Sequence, residues 1–215
     1  KGVTLAMGID SGVANVDTPG DGRTPRGRPG RIIHDDEKGD ATLPLWKVFT
    51  HSSNIGAAKL GLMAGPERMK RYFGSFGLFA AAPSELVESA RPLYSRRLDQ
   101  NTIASMSFGQ AISVSPLALA TGMTAVLDGG IYRPLTIRKL DGPPPEGRRV
   151  IKQSTSRTML ELMRLNGLLG TGKKADALAP GLRVGGKTGT AQKAVGGHYG
   201  KDRVTSFASV FPADG

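Results

Sequence analysis

Apolar residues recur at helical spacing through most of the chain and give way to period-two alternation near its end. Residues 1–10 read as a helix, followed by a loop rich in glycine and proline over 20–31. A short helix is predicted over 43–50, with Pro44 tolerated in its first turn. Two more follow over 54–63 and 66–73, the second with Pro66 at its first position and Gly74 and Gly77 behind it. Ser115-Pro116 caps an amphipathic helix running to Leu127, stopped by Gly129-Gly130. Residues 155–165 form another, with Met159, Leu160, Leu162 and Met163 on its apolar face. Strands are predicted over 131–140, 182–193 and 203–211, with a glycine-rich hairpin loop over 194–201 and a surface turn at Pro143-Pro-Pro145. Helices grouped apart from an antiparallel sheet predict the α+β class, with helices on one or both faces of the sheet.

Composition narrows this only modestly. The 215 residues are enough for one good core, and 39% hydrophobic content fits an ordinary globular domain. No apolar run approaches the roughly 18 residues of a membrane span, and no signal-peptide pattern opens the chain. The absence of cysteine excludes disulfides and thiolate metal sites. The formal charge of +11 invites a nucleic-acid reading. However, Arg23, Arg26, Arg28 and Arg31 lie in the Gly/Pro loop without an aromatic residue to stack on bases, so a solvated basic loop is the plainer account. Both ends are expected to be cut: residue 1 opens mid-helix, and Phe211-Pro-Ala-Asp-Gly215 is a strand end with nothing after it to pair.

Chemistry concentrates in Lys187-Thr188-Gly189-Thr190 on the predicted strand. A cation, two hydroxyls and a residue without Cβ suit a clamp for a carboxylate lying along a strand edge. The same lysine completes Gly181-Leu-Arg-Val-Gly-Gly-Lys-Thr188, which fits the Walker A pattern. A P-loop needs an apolar strand before it and a helix after it. Here a polar-spaced run ending at Pro180 precedes, and Gly189, Gly196 and Gly197 follow. The carboxylate reading gains a partner in Ser52-Ser53-Asn54, which lies between two short helices and can present a hydroxyl and an amide to one cleft.

With these two motifs in this order, the chain resembles the penicillin-binding proteins, serine acyl-transferases marked by Ser-x-x-Lys, Ser-x-Asn and Lys-Thr-Gly. The flanks extend the likeness: Leu43-Pro-Leu-Trp-Lys-Val-Phe-Thr-His-Ser-Ser-Asn-Ile-Gly56, Ser107-Phe-Gly-Gln110, Ser115-Pro-Leu-Ala-Leu-Ala120, Gly130-Ile-Tyr-Arg-Pro-Leu135 and Gly170-Thr-Gly-Lys-Lys-Ala175. These look like the class B, monofunctional enzymes, leaning to the division-specific (septal) branch. Ala111 departs from the family, where a second glycine is frequent. No Ser-x-x-Lys occurs in the chain, but residues 1–12 resemble the helix that follows the nucleophile. Residues 1–215 are therefore expected to be a partial transpeptidase domain. It would begin at Lys1 as the lysine of Ser-x-x-Lys, with the nucleophilic serine upstream of residue 1, and end before the last strand and helix.

The resemblance implies a β-lactamase/transpeptidase-like fold with an antiparallel sheet packed between helices. It implies a peptidoglycan D,D-transpeptidase without metal or other cofactor, acting on stem peptides ending in D-Ala-D-Ala and acylated by β-lactams. A D,D-carboxypeptidase or β-lactamase-like hydrolase is the alternative of the same fold, with a P-loop NTPase and a basic RNA-binding module more remote. Lys1, Ser52, Asn54 and Lys187 would be catalytic: Lys1 as base, Ser52 relaying a proton to the leaving amine, and Asn54 holding the substrate amide and the Lys1 ammonium. Ser53, Thr188, Gly189 and Thr190 would bind substrate, the Thr190 N–H forming half of an oxyanion hole. Divisome membrane proteins would be partners and nucleic acid would not. The site would face the periplasm, anchored to the inner membrane by an N-terminal helix absent from this chain. His34 and His51 read as structural or surface residues, His198-Tyr199 as loop decoration, and Ser107 to Gln110 as either cleft lining or a turn.

Overall fold

A computed structural model describes residues 1–21, 32–35, 42–86, 88–195 and 198–214. The arginine-rich loop lies outside the described residues. The chain opens with helix α1 (Gly2–Asp10), whose residues from Gly2 through Gly8 are all buried. A helix that is apolar or small all round must be surrounded, and α1 is the central element of the molecule. A two-stranded ribbon of β1 (Pro19–Asp21) and β2 (Thr42–Pro44) leads into α2 (Leu45–Thr50) and α3 (Asn54–Ser75). The expected pair of helices at 54–63 and 66–73 is one element broken at Gly65, which takes φ 80° before Pro66 restarts the helix.

Beyond α3, β3 (Leu93–Tyr94) pairs with β4 (Ile112–Ser113) around α4 (Gln100–Ser107). The α5 helix (Pro116–Leu127) has the predicted cap, Ser115 Oγ accepting from the Ala118 N–H at 3.1 Å. The strand expected over 131–140 is cut to β5 (Ile131–Tyr132), paired with β6 (Arg148–Arg149). Pro134 has no N–H to offer a ladder, and the next residues turn to another segment. Leu135 N donates to Pro83 O at 3.1 Å and Ile137 N to Glu85 Oε2 at 3.1 Å. Helix α6 (Gln153–Leu169) is longer than predicted, and the short α7 (Lys173–Leu178) had no counterpart in the sequence reading.

The chain ends in the hairpin of β7 (Gly185–Val195) and β8 (His198–Val210), antiparallel and in register from Gly185↔Val210 onward, with an irregularity between Gln192 and Ala194. The strands run into most of the predicted eight-residue loop over 194–201, of which residues 196–197 lie outside the described residues. Helix α6 covers the β7 side of this hairpin. Arg164 on α6 donates to Val184 O at 2.9 Å and pairs with Asp176 of α7, fixing where β7 begins. Mixed helices and small antiparallel sheets match the predicted class. Among the described residues no helix is long and apolar enough to cross a membrane.

Candidate active site

The α2–α3 turn is built around a serine in an unfavourable conformation. The end of α2 is closed by three backbone bonds: His51 N to Lys47 O at 2.9 Å, Ser52 N to Phe49 O at 3.1 Å and Ser53 N to Val48 O at 3.0 Å. Such a closure calls for a left-handed residue, ordinarily glycine. Here that residue is Ser52, at φ 57°, a conformation costing about 1 kcal/mol or more for a residue with a Cβ. Immediately after it, Ser53 caps α3 by accepting from the Gly56 N–H at 2.9 Å. Gly56 lets the two helices meet, since a Cβ there would lie 2.6 Å from the Val48 side chain.

Held in this way, the Ser52 hydroxyl lies between two lysines from distant parts of the chain. Lys1 Nζ, at the start of α1, donates to Ser52 Oγ at 3.0 Å. Lys187 Nζ, on β7, donates to the same oxygen at 2.9 Å. Two ammonium donors occupy the acceptor side of the hydroxyl, leaving its own proton to point elsewhere. Lys187 is 7% exposed, with its ammonium 5.8 Å from the centroid of the buried Phe49 ring. Burial, reinforced by the charge of Lys1, pulls the Lys187 pKa down to about 7. A lysine poised there can bind a carboxylate when charged and take up a proton when neutral.

The strand carrying Lys187 is set from beneath by Asn166 of α6, a fully buried amide. Its Nδ2 donates to Gly186 O, and its Oδ1 accepts from Thr171 N at 3.2 Å. Thr171 Oγ1 in turn accepts from Thr188 Oγ1 at 2.9 Å, and Lys187 Nζ donates to Thr188 O at 3.2 Å. Lys1, Lys187, Thr188 and Gly189 line an open cavity of about 1040 Å³ whose apolar wall includes Leu119, Met123, Leu160 and Met163.

Lys1, Ser52, Lys187 and Thr188 thus converge. Gly189 and Thr190 continue along β7, half-buried and exposed respectively. Asn54 is half-buried, its Nδ2 donating to His34 O at 2.9 Å. Ser53 requires a correction. It is 2% exposed, and its hydroxyl both donates to Asp35 Oδ2 at 2.7 Å and accepts from Gly56 N, so it caps a helix and cannot reach substrate. His34 and His51 are exposed, and the side chains of His198 and Tyr199 lie outside the described residues. The segment at Ser107–Gln110 is a turn closing α4, with Ser107 fully buried and Gly109 at φ 97°. Ala111 takes φ 58°, the backbone geometry that a glycine would adopt more easily. The Walker A string runs straight into β7 through Lys187, so no helix N-terminus faces a phosphate there.

Sequence reasoning missed Asp35 and Asn166, which hold the Ser52–Asn54 and Lys187–Thr190 strings in place, and gave Thr171 no role. Thr171 had a signal in the Gly-Thr-Gly string; the other two act through partners distant in sequence and carry none.

The family model described as penicillin binding protein transpeptidase domain matches residues 1–215. The probable peptidoglycan D,D-transpeptidase FtsI of Caulobacter vibrioides is 50% identical over 222 residues, covering 100% of this chain and 37% of that protein. The peptidoglycan D,D-transpeptidase FtsI of Escherichia coli K12 is 38% identical over 175 residues, covering 80% of this chain and 29% of its own length. The chain therefore spans about a third of the length of these curated relatives. Among solved structures, the apo transpeptidase domain of Burkholderia pseudomallei penicillin-binding protein 3 aligns with a TM-score of 0.86 at 32% identity, covering 97% of this chain and 64% of that one. Penicillin-binding protein 3 of Mycobacterium tuberculosis, complexed with ampicillin, aligns with a TM-score of 0.85 at 26% identity, covering 99% and 51%.

Proposed function

This chain belongs to the penicillin-binding protein transpeptidase domain family, and from that premise we propose that it forms the acyl-transfer cleft of a class B, division-specific peptidoglycan D,D-transpeptidase. The observation that carries the reading is the single hydroxyl of Ser52 within hydrogen-bond distance of both Lys1 and Lys187. In this mechanism a serine three positions before Lys1 attacks the penultimate carbonyl of a stem peptide ending in D-Ala-D-Ala. Lys1, one helical turn away, accepts the serine proton. The C–N bond to the terminal D-alanine breaks, and its amine receives a proton through Ser52. An amine from a second stem peptide then attacks the ester, forming the cross-link and restoring the serine. Lys187, Thr188 and Thr190 grip the terminal carboxylate, and the Thr190 N–H supplies one oxyanion donor. Asn54 orients the substrate amide. A β-lactam acylates the same serine.

The whole protein would act at the periplasmic face of the inner membrane, anchored by an N-terminal helix and working with division proteins; the family and the FtsI relatives support this reading. The test is labelling by a fluorescent penicillin of a version extended upstream through the serine. Covalent labelling with the mass increase of one intact penicillin is expected, and Lys187→Ala should slow it about 100-fold or more. An extended protein that takes up no label refutes the assignment.

A further inference from the structure

One carboxylate beside the cleft has no part in the mechanism above, yet its contacts are concentrated on the segment that presents Ser52. Asp35 Oδ2 accepts from the Ser53 hydroxyl at 2.7 Å. Its Oδ1 accepts from the Asn54 N–H and from the Ile55 N–H, the latter at 3.0 Å. With Gly56 N satisfied by Ser53 Oγ, three successive N–H groups at the start of α3 have acceptors, two of them supplied by Asp35. These are donors that an α-helix cannot satisfy from its own backbone, at the end where a negative charge is favoured. Asp35 therefore clamps the three residues after Ser52 without touching Ser52 itself.

The need for such a clamp follows from the Ser52 backbone. Its left-handed conformation is disfavoured by its own Cβ. The α2 closure holds the Ser52 and Ser53 N–H groups but leaves the Ser53 side chain and the N–H groups of residues 54 and 55 to other acceptors. If residues 53–55 were free to move, Ser52 could relax to negative φ, which would swing its hydroxyl away from both lysines. Glycine would remove the strain and with it the hydroxyl. A serine in this conformation must be held on both sides.

We propose that Asp35 is a positioning residue for the acyl-transfer reaction, locking the Ser52-Ser53-Asn54 turn so that the Ser52 hydroxyl stays between Lys1 and Lys187. This rests on the reading of Ser52 as the proton relay. Removing the carboxylate should slow chemistry while leaving β-lactam capture in the cleft almost intact, because the Asp35 contacts among the described residues go to Ser53, Asn54 and Ile55 and not to the lysines.

The experiment uses the extended protein and a fluorescent penicillin, separating the acylation rate constant at saturation from the half-saturating concentration. Asp35→Ala should lower the rate constant roughly 10- to 100-fold, with the half-saturating concentration within about twofold and a full labelling amplitude. Asp35→Asn keeps one acceptor oxygen for the two N–H groups and should recover part of the rate. Combined with Ser52→Ala, Asp35→Ala should add little, since both act through one hydroxyl. A merely structural role would lower the amplitude and leave the rate constant unchanged; that result, or additive losses in the double variant, overturns the proposal. Amide hydrogen exchange supplies a readout that does not depend on chemistry: Asp35→Ala, which removes the acceptor of both N–H groups, should speed exchange at residues 54 and 55 at least about tenfold. Unchanged exchange overturns the clamp. Wild-type protein that fails to label while Asp35→Ala speeds exchange refutes the transpeptidase reading and leaves the clamp standing.

Discussion

Asp10 and Asp35 perform the same physical task at two helix N-termini, and their surroundings give that task different consequences. Helix α6 begins at Lys152 without a side-chain cap of its own. Asp10, at the end of α1, supplies one from a distance: Oδ1 accepts from Lys152 N at 2.8 Å and from Thr155 Oγ1 at 2.9 Å, while Oδ2 accepts from the Tyr72 hydroxyl at 2.7 Å. Three helices, α1, α3 and α6, are tied at one carboxylate. Asp35 caps α3 in the same manner, but among the described residues its bonds go to one turn, and the residue before that turn is a strained serine between two lysines. A shared cap among packed helices secures the fold, whereas a cap beside a left-handed serine secures a geometry. The first should be read out in stability and the second in rate.

The sharpest way to break this distinction is Asp10→Ala. It leaves the Tyr72 and Thr155 hydroxyls without an acceptor where they are 5% and 3% exposed, and should cost about 3–5 kcal/mol in denaturant unfolding. Penicillin acylation per folded molecule should hold within about twofold of wild type, in contrast to the loss expected for Asp35→Ala. A smaller change, Tyr72→Phe, removes one of the three bonds and should cost about 1–2 kcal/mol. Burial, together with the bond to Asp10 and its charge, pushes the Tyr72 phenol above its ordinary pKa. The phenol therefore remains a donor throughout the neutral range, and the Tyr72→Phe cost should be flat between about pH 6 and pH 9.

The cleft, by contrast, should carry a pH dependence. The Lys187 pKa falls from 10.5 to about 7 on folding. Between those values the unfolded chain holds a proton on Lys187 that the folded chain lacks, so folding stability from this group rises with pH from about 7 to about 10.5. Lys187→Met should flatten that slope in unfolding curves taken across the interval, while Asp10 variants should retain it. The smallest effect is expected at Ala111, whose φ of 58° suits glycine. Ala111→Gly should change stability by no more than about 1 kcal/mol, in the stabilising direction, as strain relief outweighs the greater freedom of the unfolded chain.

What could be read in the sequence divides along a physical line. Lys187-Thr188 and Ser52-x-Asn54 were legible because acyl-transfer chemistry writes itself in short strings, and the breaks at Gly65-Pro66 and the cap at Ser115 because they act within a turn. The short helix α7 is held by Arg164 and Asp176 rather than by an amphipathic pattern, and the strand expected beyond Tyr132 was lost to bonds with Glu85 and Pro83. Ser53 looked like part of the cleft because it lies inside the motif, and only burial shows its hydroxyl turned to Asp35. Neither Asp35 nor Asn166 has a local signature: each acts across 18 to 20 positions, on Ser53, Asn54 and Ile55 in one case and on Gly186 in the other.

The hydroxyl shared by Lys1 and Lys187 is tested most directly by titrating the Lys187 side-chain amine by NMR, in this chain and in Lys1→Met. A midpoint near 7 is expected, moving upward when the Lys1 charge is removed. A midpoint near the ordinary lysine value, unmoved in Lys1→Met, would contradict a buried lysine pair sharing Ser52.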